Sequence, residues 1–194
     1  MNLAQECSAM SELIDKDRPT SNWMQTHSGK KFYPFDPKPD QICIQDISHA
    51  LGMNCRFNGH VKKFYSVAEH SVLASYMVPE EDALWALLHD AAEAYISDPP
   101  KPFKDGISEH IDPHERRILE VIAEKYGLEM PYPESVKKAD WKMIIAERVE
   151  VLSDQSLLWD TVDSFEGTVP EISFNFWFPE RAALMFLKRF SELF

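Results

Sequence analysis

His70, His89, Asp90 and Asp140 are metal-ligand side chains set where a helical apolar stripe would carry Leu or Val. They stand in SVAEHS, in ALLHDAAEA and in KKADWKMII. Buried imidazoles and carboxylates are costly unless they are paired or hold an ion. Three separate segments turning such groups inward predict one shared cation, and a cation with open positions predicts hydrolysis. Two imidazoles and two carboxylates suit one divalent transition ion, Co, Mn, Zn, Ni or Fe, better than Mg. Glu93 follows His89 by four residues and Asp90 by three. That spacing lets it reach a water beside the ion and act as acid or base without being a ligand.

Each of these residues also has a plainer reading. Val136, Asp140, Met143 and Glu147 share one helix face, so either acid could instead pair with a buried cation. For Glu147 that cation is Arg148 or a basic residue elsewhere. His110 and His114 are expected at the surface, and His49 in the core or at the surface of a short helix. His60, beside Lys62 and Lys63, is read equally as a phosphate contact or a surface residue.

The elements that must position these groups are mostly helical. Residues 1–22 predict a short helix stopped by Pro19. Residues 23–45 predict short extended pieces, with QICI as a strand and Asp46 capping a brief helix after it. RFNGHVKKFY reads as a turn followed by a strand-like stretch. Ser66 and Glu69 form a capping-box pattern that starts a helix at Val67, running through Tyr76 and Met77. A second helix starts near Glu80 and continues past His89-Asp90 to Pro99. A third spans about Pro113–Tyr126 with Gly127 as its cap, and a fourth runs from near Pro133 to about Leu158. Pro179 opens a last helix.

The chain of 194 residues carries a formal net charge of −12, which disfavours binding to a nucleic-acid polymer. It has no apolar run that would span a bilayer and no N-terminal signal pattern, so no membrane partner is expected. Three cysteines without CxxC spacing suggest neither a disulfide framework nor a thiolate zinc site, and a cytoplasmic location is expected. Lysines and arginines nonetheless bracket the ligand segments, which suits a small anionic substrate. Seven of the twelve Phe lie between Phe165 and Phe194, predicting core or a homo-oligomer contact there. The expected architecture is a single domain over 1–194, mostly α, with a small extended N-terminal portion.

SVAEHS, ALLHDAAEAYISDPPKPFK and KKADWKMIIAE together resemble the successive motifs of the HD-domain phosphohydrolase superfamily, over about residues 46–158. In detail the chain is similar to the single-metal nucleotidase branch, which holds bacterial 5'-deoxynucleotidases and phage dATP triphosphohydrolases. The resemblance implies a helical HD-domain bundle with His70, His89, Asp90 and Asp140 as the ligands of one metal. It implies Glu93 as catalytic acid or base, joined by Asp98 in the turn that follows. It also implies an Arg-aromatic pair at Arg56-Phe57 and a phosphate-facing Lys104. Lys62 and His60 are added as candidate phosphate contacts. Phe57 stands where the deoxynucleotidase branch has Trp, a departure that bears on base packing. No additional His pairs of the two-metal type occur. The expected activity is hydrolysis at the α-phosphorus of a deoxynucleotide, best exemplified by dATP giving deoxyadenosine and triphosphate. The alternatives are a 5'-deoxynucleotidase acting on monophosphates and a non-catalytic nucleotide-binding module.

Overall fold

A computed structural model describes residues 22–154, 156 and 171–194. Residues 1–21 of the helix expected over 1–22 lie outside these residues, and the fourth helix ends at Glu150, short of the expected Leu158, because the backbone turns at 151–153. The described chain is mostly helical, with one two-stranded sheet at its N-terminal side, as the sequence predicts. No described helix is long and apolar enough to cross a membrane.

Strands β1 (Met24–Gln25) and β2 (Lys31–Phe32) pair antiparallel with Met24 opposite Phe32. The tight connection needs Gly29 at φ +86°, a backbone state that costs glycine nothing. Phe32 is thereby buried and stacks on Tyr95 at 3.9 Å. QICI does not form a strand. Cys43 is extended and helix α1 (Ile44–Met53) begins directly after it. Ile44, Ile47 and Leu51 recur at helical spacing and are all fully buried, so tertiary packing overrides the β preference of the segment. Asp46 lies within the first turn instead of capping it. Its carboxylate accepts from the Ser28 N–H at 2.6 Å and the Ser28 hydroxyl at 2.8 Å.

After α1 a 3-10 turn, Arg56–Gly59, carries Phe57 and Asn58 at positive φ. The strand expected behind it reduces to a single bridge between Cys55 and Ser66. Helix α2 (Val67–Ala74) starts where the capping pattern places it, with the Ser66 hydroxyl accepting from the Glu69 N–H at 3.1 Å. The box is only half made, because the Glu69 carboxylate accepts from the N–H groups of Asn175, Phe176 and Trp177 at 2.7–2.9 Å. The helix also stops earlier than expected. Tyr76 is 60% exposed and takes the Arg189 guanidinium on its ring at 4.0 Å.

The second expected helix is broken. It becomes a 3-10 turn (Glu80–Asp82), helix α3 (Ala83–Leu88) and the short helix α4 (Glu93–Ile96). Between α3 and α4 the backbone tightens to three-residue hydrogen bonds, Ala91 to Leu88 and Glu93 to Asp90. The His89 ring contributes to this by donating Nδ1–H to the Ala86 carbonyl at 2.7 Å. Helices α5 (Lys101–Gly106) and α6 (Ser108–Tyr126) follow. α6 starts five residues before Pro113, and Gly127 caps its end at φ +68° as the sequence predicts. Helices α7 (Glu134–Glu150) and α8 (Pro179–Leu193) complete the described elements.

The core forms where α8 lies across α1, α2 and α3. Ala182, Phe186 and Phe190 recur every four residues on α8 and are fully buried, so this part of the aromatic run is core. Gly52 is what lets α1 and α8 touch. A Cβ there would stand 2.8 Å from the Pro179 carbonyl and 3.2 Å from Ala183. α7 packs against α2 and α3, which sets its acids opposite the two histidines.

Candidate metal centre

His70 comes from the middle of α2, His89 and Asp90 from the tightened turn after α3, and Asp140 from α7. Ligand atoms of His70, His89 and Asp140 all lie within 4.8 Å of one another. The two Nε2 atoms are 3.4 Å apart, and Asp140 Oδ1 is 3.2 Å from His70 Nε2 and 3.8 Å from that of His89. Asp90 Oδ2 adds a fourth donor, 3.3 Å from His89 Nε2 and 3.6 Å from His70 Nε2. The four residues that the sequence singles out therefore face one point. His70 and His89 are buried, whereas the Asp140 side chain is 37% exposed, leaving the centre open on that side.

The hydrogen-bond pattern fits a cation. His89 Nδ1 must carry its proton, since a carbonyl can only accept. His70 Nδ1 lies 2.6 Å from Glu147 Oε1, an arrangement in which the ring donates to the carboxylate. Both neutral rings then present their Nε2 lone pairs to the common point, each oriented by a hydrogen bond from its other nitrogen. Without an ion the neighbouring acids favour the protonated form of both rings instead. Burial and Arg56 work to lower the His70 pKa, but Glu147 and Asp140 outweigh them and raise it to about 9. Burial likewise opposes, and Asp90 and Asp140 overcome, in raising that of His89. Against its own burial, Glu147 is pulled down to about 2 by Arg56 and His70. A divalent ion in place of these protons meets the same excess of negative charge.

Glu93, at the start of α4, is buried, and its Oε2 has no hydrogen-bond partner among the described residues. Burial, followed by Asp90 and Asp98, holds its carboxyl well above the usual carboxylate range, against Arg56 and Lys104. Asp98 is half-buried, and its carboxyl is pushed up by burial while Arg56 pulls it down. Arg56 is buried and engages two acids, Asp90 Oδ2 at 3.4 Å and Glu147 Oε2 at 3.2 Å. Phe57 lies beside it, the ring 5.6 Å from the guanidinium carbon. Lys104 pairs with Glu115 at 2.6 Å.

The other expected phosphate contacts are placed differently. Lys62 donates from Nζ to the carbonyls of Val149 and Glu150, both at 3.3 Å, and so serves the C-terminal end of α7. His60 is exposed at the end of the 3-10 turn. His110 is exposed as expected, while His114 is half-buried with Phe35 edge-on at 4.8 Å. His49 stacks on His27 at 3.6 Å beside a cavity of about 400 Å³ that none of the metal-facing residues lines.

Four residues of the centre escape sequence reasoning or enter it only partly. Glu147 was legible as an acid on an apolar face, but not as the partner of His70. Tyr65 donates to Glu147 at 2.8 Å and carries no sequence signal beyond being aromatic. Glu115, the partner of Lys104, lies on the polar first half of α6, before its buried residues begin at Ile118. Tyr132 is half-buried, and burial, then Asp90, Asp140 and Glu115, push its phenol up, which places it in the field of the site.

No protein-family model matches the chain. It is 40% identical over 174 residues to a protein of Escherichia coli (strain K12) described as "Uncharacterized protein YfdR", a match covering 89% of this chain and 96% of the relative. It is 33% identical over 126 residues to an uncharacterized protein of Rhodobacter capsulatus, covering 60% of this chain and 64% of that protein.

Proposed function

The chain belongs to the family of the Escherichia coli protein YfdR, and we propose that it is a metal-dependent phosphohydrolase of the HD superfamily acting at the α-phosphorus of deoxynucleotides. dATP, split to deoxyadenosine and triphosphate, is the first substrate to test. The observation that carries this reading is the convergence of His70, His89 and Asp140, from three separate segments, on one point that Asp90 also faces. A divalent ion held by these residues would activate a water and polarise a phosphoryl group.

The remaining chemistry belongs to the chain. Glu93 has a buried oxygen with no partner and a carboxyl that keeps its proton above the usual range. An acid of that kind can protonate the departing 5'-oxygen of the nucleoside and recover the proton from the attacking water. Asp98, half-buried beside it, raises the proton affinity of Glu93 and can accept a sugar hydroxyl. Lys104 supplies positive charge to the same region.

A second reading, hydrolysis of a deoxynucleoside 5'-monophosphate, is favoured by one specific observation. Arg56 and Lys104 are both already paired with carboxylates, and a polyphosphate chain would need them released. The test is product analysis after incubating Co- or Mn-loaded protein with dATP, dGTP and dAMP in parallel. Deoxyadenosine plus intact triphosphate from dATP supports the first reading. Turnover of dAMP alone supports the second. No turnover of any of them refutes dATP, dGTP and dAMP as substrates and moves the weight to another phosphorylated ligand or to a nucleotide-binding module.

A further inference from the structure

We propose that Arg56 is a positioning residue of the metal centre, joining its two halves, rather than a clamp for substrate phosphate. The inference rests on the metal-centre reading above. It starts from the two guanidinium ends. Nη1 reaches Asp90 Oδ2, which is itself 3.3 Å from His89 Nε2. Nη2 reaches Glu147 Oε2, while the other oxygen of that carboxylate holds His70 Nδ1 at 2.6 Å and the Tyr65 hydroxyl at 2.8 Å. The path His70–Glu147–Arg56–Asp90–His89 therefore closes into a ring around the point that the two Nε2 atoms face.

His70 also meets Asp140 at 3.2 Å and Asp90 at 3.6 Å, but through the nitrogen that faces the centre; Arg56 adds a bridge between Asp90 and Glu147 that does not use the ligand nitrogens. Glu147 on α7 and His70 on α2 are fully buried, and Asp90, in the turn before α4, is half-buried. A planar fork can hold two carboxylates at a fixed separation, which a lysine ammonium, a point charge on a flexible stem, cannot do. The backbone is arranged for this task. Phe57 at φ +54°, Asn58 at φ +53° and Gly59 at φ +80° fold the chain back directly after Arg56, whose own N–H is fixed to the Tyr65 carbonyl at 2.9 Å. Two non-glycine residues in the left-handed region are an unfavourable choice unless what they position requires it. An anion clamp needs exposed donors, yet the Arg56 side chain is 10% exposed and its charge is met by two acids.

The experiment measures Co²⁺ affinity and the visible d–d spectrum for wild type, Arg56→Lys and Glu147→Gln, with inorganic phosphate then titrated into each Co-loaded protein. Circular dichroism and a cooperative urea transition confirm that each variant folds. Both variants are expected to bind Co²⁺ about 10–100-fold more weakly, with a changed spectrum. At saturating Co²⁺, their phosphate affinity should stay within about three-fold of wild type. Should Arg56→Lys not fold, Glu147→Gln alone decides, because it weakens the same ring from α7 while keeping the shape of the side chain. Unchanged Co²⁺ affinity and spectrum overturn the proposal, all the more if phosphate affinity falls ten-fold or further. The two readings fail separately. Wild type that binds Co²⁺ but turns over no nucleotide refutes the hydrolase reading and leaves this one standing.

Discussion

Glu93→Gln separates proton transfer from metal binding. The substitution keeps the shape of a side chain that is 8% exposed, and it removes no atom of the His70–His89–Asp140 group. Loss of a positioned acid or base costs about 10²–10⁴-fold in turnover. At about 1.4 kcal/mol per decade, that is about 3–5 kcal/mol of barrier. Co²⁺ affinity should change by less than about three-fold, because no ligand is lost. Stability moves the other way, and the sign follows from linkage. The folded-state pKa of Glu93 lies above the ordinary value of 4.5, so between these two the folded protein holds a proton that the unfolded chain releases. The folded state therefore loses stability as pH rises from 4.5 towards the folded pKa, at about 1.4 kcal/mol per pH unit. Glutamine carries no such penalty. Metal-free Glu93→Gln should be more stable than metal-free wild type at about pH 7.5, and the gain should shrink as pH falls towards 4.5. Single-turnover kinetics with Co-loaded protein and urea denaturation across pH provide the two readouts. Full turnover by the variant, or lower stability than wild type at neutral pH, refutes the reasoning.

The pairing of His70 with Glu147 gives the metal-free protein a defined pH response. The His70 contribution is fully present below pH 6.5 and is lost as pH rises through about 9. That of Glu147 is present above pH 4.5 and is lost as pH falls through about 2. The pair thus stabilises most between pH 4.5 and 6.5. Co²⁺ binding at about pH 7.5 must then release protons, and calorimetry in buffers of different ionisation enthalpy should show it; equal heats would count against the pairing. Gly52→Ala should destabilise by about 1–3 kcal/mol in urea, since the new methyl meets the Pro179 carbonyl and Ala183. A neutral result would mean that α1 and α8 can separate freely. Glu69→Ala should leave the N–H groups of Asn175, Phe176 and Trp177 without an acceptor and cost about 2–4 kcal/mol. Hydrogen exchange should quicken at these three amides, and unchanged protection there would contradict the assignment.

The sequence by itself determined the kinds of residue at the centre and most of the elements that carry them. Ligand types interrupting apolar stripes are visible without a structure, because a buried imidazole or carboxylate must be accounted for wherever it occurs. The Ser66 cap, the Gly127 stop and the Pro179 start were equally legible, since each reflects chemistry within a few residues along the chain. What only the tertiary structure decided was which partner each buried group takes. His70 meets Glu147 across 77 positions, and Arg56 meets it across 91. Periodicity says which face a side chain occupies but not which element will cover that face. Glu69 shows the limit most plainly: its local pattern predicts a reciprocal cap, yet its carboxylate is spent on backbone N–H groups more than a hundred residues away. The break in the helix at His89-Asp90 was likewise invisible, because the Leu84–Tyr95 stripe fits one continuous helix. It is the Ala86 carbonyl and the shared centre that favour the tighter turn. Lys62 and Lys104 looked equivalent as cations in the sequence. Packing assigned one to a helix end and the other to Glu115, because a charge is committed by what lies within about 4 Å of it, and only the folded chain supplies that distance.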